Sequence, residues 1–213
     1  MHPLIHPAAK PFAEYHEWDP RYPEVVRSLV SALGPLPPYL KIEHVGSTSI
    51  PGSGGKRVID LLALYEGGFL NDAKAFLLAA GFGKQGPEFS RAWPEERPMF
   101  LGSYRWLDEP FLIYIHVIDG ASDEVRRYRV FKERLMQNPD RLWEYCACKR
   151  QIVTEGVRDT DDYAVRKRPF IHKALGQEYG LREQRPDQLP DPTSPCVTPP
   201  AGAGGPPSVA TDH

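Results

Sequence analysis

Cysteine is scarce in this chain, with three residues in 213. Cys146 and Cys148 are spaced C-x-C within a helical pattern, which sends them to different faces, and Cys196 lies among prolines. Neither a disulfide framework nor a zinc site follows, and a reducing cytoplasm suits this usage. Charge of one sign is also missing: 26 Lys and Arg against 28 Asp and Glu leave a formal net charge of −2. No global field therefore draws the protein to nucleic acid or to an acidic membrane. No apolar run reaches the length of a membrane span, and the opening MHPLIHPAAKPF has no apolar core of a signal peptide. A cytoplasmic protein is expected, with no membrane partner and no strong nucleic-acid signal.

The 41% hydrophobic content is enough for a true core, and the length suits one domain with extensions. Residues 1–12 hold three prolines and read as an extended arm. In DPRYPEVVRSLVSALG a helix starts near Asp19-Pro20 and stops at Gly34, burying Val25, Val26, Leu29, Val30 and Leu33. YLKIEHV alternates as a strand. RVIDLLALY is apolar on both faces, as befits a central strand covered on both sides. LNDAKAFLLAA is a second helix closed by Gly81, and the turn-rich stretch to Trp106 reads as a hairpin with overhanging loops. FLIYIHVID is a strand with Leu112, Tyr114, His116 and Ile118 on one face.

The last third is helical. One helix covers about 122–137, Asn138-Pro139-Asp140 breaks and restarts it, and a helix over 160–176 is kinked or interrupted at Pro169. Residues 181–213 are rich in Pro and Gly and read as a disordered tail. Together these elements predict a mixed α+β domain over 13–180, with a helical C-terminal third.

The stretch HVGSTSIPGSGGKRVID concentrates the chemistry. It is not a P-loop: Ile50 stands where the first glycine belongs, and Arg57 where the Mg²⁺-binding hydroxyl must be. A Rossmann glycine spacing is absent too. The layout is a strand, a Gly-Ser turn, and a second strand bearing an acid. Gly46 admits a close phosphate, Ser47, Thr48 and Ser49 supply hydroxyl and amide donors, and Lys56 adds a positive charge. Asp60, thirteen residues after Ser47, would hold a divalent ion against the same phosphates. A bland reading stands beside this one: a tight turn with capping hydroxyls, strand histidines at 44 and 116 that serve packing, and solvated lysines at 149 and 167.

The same stretch resembles the signature of the GrpB-like (UPF0157) proteins, which are assigned to the nucleotidyltransferase superfamily fold. EYHEWDPRYPEV, YIHVID, VFKERLMQNPDRLWEYCACKRQI and DDYAVRKRPFI are similar to further family segments, over roughly residues 13–175. The resemblance implies a nucleotidyltransferase-like small mixed sheet flanked by helices. It implies a nucleotide, such as a nucleoside triphosphate, or another phosphorylated small molecule as ligand, with Mg²⁺ or Mn²⁺. His44, Gly46, Ser47, Thr48, Ser49, Lys56, Lys149 and Lys167 are then ligand-binding candidates. Asp60, His116 and Glu133 are catalytic candidates, with Asp60 and His116 holding metal. The pattern departs from two-metal nucleotidyl transfer at one place, because Leu62 replaces the second acid of D-x-D. Three functions follow from it: nucleotidyl transfer, metal-dependent hydrolysis, or a degenerate module that senses a nucleotide or binds a protein.

Overall fold

A computed structural model describes residues 4–90 and 93–176, so the Pro/Gly-rich 181–213 segment lies outside the described residues. Six strands form one mixed sheet: β1 (Ile5–His6), β2 (Leu40–Val45), β3 (Val58–Tyr65), β4 (Gly83–Lys84), β5 (Met99–Trp106) and β6 (Glu109–Asp119). Their order across the sheet is β1-β5-β6-β3-β2, with β4 pairing to β5. The β3–β6 pair is parallel and the others are antiparallel. Among the described residues six α-helices accompany them: α1 (Tyr22–Ala32), α2 (Leu70–Ala79), α3 (Asp123–Met136), α4 (Pro139–Thr154), α5 (Thr160–Arg166) and α6 (Arg168–Leu175).

β3 is central, as its run of apolar residues on both faces required. Ile59, Leu61 and Ala63 point into a large cluster with Val25 and Leu29 of α1 and Leu77 of α2. Leu62 and Leu64 point the other way, against Val45, Ile118 and Val125 of α3. Each such side chain contributes about 1.5–3 kcal/mol on burial. An acid in this strand is therefore conspicuous, and Asp60 is the one polar side chain between Val58 and Ala63.

The helical C-terminal third matches its expected breaks. Ser122 caps α3 by accepting from the Glu124 N–H. Asn138 caps α4 with Pro139 at its first turn. Pro169 separates α5 from α6, as its missing N–H and ring demand. The described part of the extended arm, from residue 4, adds a short strand to the sheet. Ile5 is fully buried and pairs with Tyr104 at the edge of the sheet.

Candidate functional site

The site begins at the end of β2. Val45 pairs with Asp60, and the chain then turns at Gly46 with φ 68° and ψ −171°. Only glycine holds that conformation without strain. It is also needed for space, since a Cβ at Gly46 would overlap the Asp60 carboxyl and come 2.9 Å from its Cβ. The turn runs into a short 3₁₀ segment, Ser47–Ser49. Its hydroxyls have separate jobs. Ser49 donates back to the Gly46 carbonyl at 2.9 Å. Thr48 Oγ1 lies 2.9 Å from His44 Nε2, and its carbonyl accepts from Trp18 Nε1 at 3.0 Å. Ser47 is left facing a cleft.

That cleft is a small opening, about 20 Å³ in volume and partly open to solvent. Ser47, Thr48, Ser53, Gly55, Lys56, Asp60, Tyr163 and Lys167 are among its walls. Lys56 and Lys167 lie over the face of the Tyr163 ring, with Nζ 5.4 and 5.6 Å from its centroid. The ring face is electron-rich and suits both ammonium groups. Desolvation pushes the Asp60 carboxyl above its ordinary value, and the positive charges of Lys167 and Lys56 oppose that rise. Desolvation lowers Lys56 to about 8, helped by Lys167 and opposed by Asp60. Two other charges on the wall are already paired: Arg57 with Glu109, and Glu17 with Arg150.

Lys149 lies behind this wall rather than on it. Its side chain is fully buried, at 0% exposure. Nζ donates to Ser53 Oγ at 2.9 Å, to Ser47 Oγ at 3.3 Å and to the Gly54 carbonyl. The Tyr145 ring lies 3.9 Å from the ammonium. Desolvation depresses this lysine to about 7.

The structure thus gathers Gly46, Ser47, Thr48, Lys56, Asp60 and Lys167 at one cleft, with His44, Ser49 and Lys149 supporting its wall. It does not bring His116 or Glu133 there. His116 pairs with Leu62 across the β3–β6 ladder, one inward position beyond Asp60. Its Nδ1 lies 3.2 Å from Arg97, whose guanidinium also pairs with Glu124 and stacks on Trp93. Arginine can only donate, so Nδ1 accepts and the ring is neutral. Burial and Arg97 depress it to about 3. Glu133 is exposed on α3 and accepts from Gln137 at 3.0 Å.

A two-metal centre does not fit these donors. Among the described residues, no three His, Cys, Asp or Glu side chains are grouped to hold an ion. Asp60 stands as a single carboxylate under the field of two lysines, and Leu62, where a second acid belongs, is 0% exposed. Sequence reasoning missed Trp18, Ser53 and Tyr163. Tyr163 had a signal: it precedes Lys167 by four residues, the spacing that aligns two side chains on one helical face.

Comparison with known proteins agrees with this layout. The GrpB protein family model matches residues 13–177. The chain belongs to the GrpB family. A UPF0157 protein of Pseudomonas aeruginosa is 31% identical over 144 residues, covering 66% of this chain and 56% of its own length. The chain thus spans little more than half of that relative. A UPF0157 protein of Halalkalibacterium halodurans is 26% identical, over 75% of this chain and 78% of its own. The crystal structure of GrpB from Enterococcus faecalis superposes with a TM-score of 0.61 at 22% identity, covering 78% of this chain and 98% of that one. The shared fold is the small mixed sheet with flanking helices.

Proposed function

We propose that this GrpB-family protein binds the phosphate of a nucleotide or another phosphorylated small molecule in the Asp60 cleft. One observation carries the reading: Ser47, Thr48, Lys56 and Lys167 converge on a single small opening beside Gly46. Hydroxyl donors and two ammonium groups are parts a phosphate site needs, while the space that Gly46 leaves is taken by the Asp60 carboxyl. Binding is favoured over two-ion nucleotidyl transfer because buried Leu62 supplies no second metal ligand.

A thermal-shift panel of nucleoside mono-, di- and triphosphates and sugar phosphates, with and without Mg²⁺ or Mn²⁺, tests it. At least one phosphorylated ligand should raise the melting temperature, and Lys167→Ala should weaken that ligand about tenfold or more. If every phosphate leaves the transition unmoved, the reading is lost.

A further inference from the structure

Lys149 is a buried lysine with no carboxylate partner among the described residues. All three of its N–H donors are spent, on Ser47 Oγ, Ser53 Oγ and the Gly54 carbonyl. The groups that bear on it are the Cys146 and Cys148 thiols, Lys167 and Arg150. A buried ammonium without a counter-ion costs several kcal/mol, which the Tyr145 face offsets only in part. Burial therefore lowers this lysine to about 7, and an anion bound in the cleft would hold the proton on it.

The surroundings show where that anion would sit. Ser47 and Ser53 both line the cleft and both accept from Lys149. A hydroxyl has one proton, so a serine that accepts from the ammonium keeps its own hydrogen to donate: that of Ser53 can turn outward, and that of Ser47 can turn outward or to the Tyr145 hydroxyl at 3.5 Å. Gly55 closes the same corner without a side chain. A Cβ there would lie 3.5 Å from Ser47 Cβ and 4.0 Å from Lys149 Nζ. The gap at Gly55 therefore opens onto the Ser47 hydroxyl, 3.7 Å from where a Cβ would stand, and comes within reach of the ammonium. Two ammonium groups, on Lys56 and Lys167, act on the Asp60 carboxyl, Glu17 on the same wall is paired with Arg150, and Lys149 adds a third ammonium behind the wall.

Resting on the phosphate reading above, we infer that the ligand group is a compact phosphate dianion held by lysine charge alone, without a divalent ion, and that Lys149 is the positioning residue that aims the Ser47 and Ser53 hydroxyls at it. The excess of positive charge in the wall replaces what Mg²⁺ supplies in a two-metal site. A phosphomonoester or inorganic phosphate suits this corner better than a metal-chelated triphosphate.

The test uses the full chain with inorganic phosphate, pyrophosphate and AMP, each in EDTA and in Mg²⁺. Inorganic phosphate or AMP in EDTA should raise the melting temperature by roughly 5–10 °C at a hundred times its Kd. Added Mg²⁺ should not increase that rise. A rise that appears only with Mg²⁺ overturns the inference and leaves the phosphate reading standing. No rise under either condition also overturns the inference, while the phosphate reading falls only if the wider panel of nucleotides and sugar phosphates fails as well. Lys149→Met should fold with an unchanged or higher melting temperature without ligand, and should lose the phosphate-induced rise. A purely structural lysine would show the reverse, a lower melting temperature with the rise intact. Should Lys149→Met not fold, Ser53→Ala decides: it should weaken phosphate at least about threefold, and an unchanged affinity overturns the role given to Lys149.

Discussion

Gly46 shows how one missing side chain can define a site. Its positive φ and the Asp60 carboxyl pressed against its α-carbon leave no room for a Cβ. Gly46→Ala should therefore cost about 1–3 kcal/mol in urea denaturation. It should also push Asp60 from its place and remove ligand-induced stabilisation, which a thermal shift with inorganic phosphate would show. A fully stable Gly46→Ala protein would mean that the turn relaxes without strain. The glycine and Asp60 were both legible in the sequence as a pair. Their contact was not, because it depends on β2 and β3 pairing so that Val45 faces Asp60.

Helices and strands were largely readable, and the exceptions have physical causes. α4 announced itself through Asn138 and Pro139, and Asn138 Oδ1 accepts from the Arg141 N–H at 2.9 Å. Asn138→Ala should lower stability by about 1 kcal/mol, within the 0.5–2 range of lost caps, as read from the urea midpoint. This cap sits outside the cleft wall, so phosphate affinity should stay unchanged. β5 was harder to see, and only a hairpin region was expected there. Its run MFLGSYRW is interrupted by Gly102, which reads as a turn residue. In the fold that glycine makes room for the Ile5 side chain, which a Cβ would strike. A local pattern cannot show a partner that lies almost a hundred residues away. The tight turn into β6 is carried by Leu107 and Asp108, with φ 48° and 62°, in place of the Asn-Gly that usually marks such turns.

The stability of the whole molecule should register half-buried His44 and buried His116. His44 is depressed to about 4 and His116 to about 3, in both cases chiefly by desolvation, against 6.5 when unfolded. Between those values the unfolded chain binds more protons than the folded one, so stability rises with pH. The contribution is fully present above pH 6.5 and is lost as pH falls. The slope should approach about 1.4 kcal/mol per pH unit for each histidine. Urea midpoints between pH 6.5 and 5, above the range of ordinary carboxylates, measure it, with Asp60→Asn as the background that removes the one carboxyl raised by burial among the described residues. His116→Gln should remove about half of the slope, and an unaltered slope would show that this ring does not govern acid sensitivity.

Local chemistry in the chain was enough to establish the strand–Gly–Ser–strand layout, the central apolar strand with its lone acid, the helix breaks at Pro139 and Pro169, and the family. These depend on periodicity, backbone stereochemistry and short motifs, all of which are written along neighbouring residues. Long-range packing decided the rest. It turned His116 toward Arg97 and away from the cleft, left Glu133 in solvent, and brought Tyr163 beneath Lys56 and Lys167. It also sank Lys149 beneath Ser47, from 102 residues away in the chain. Burial and charge pairing arise only when distant segments exclude water together, so the electrostatic character of this cleft belongs to the fold.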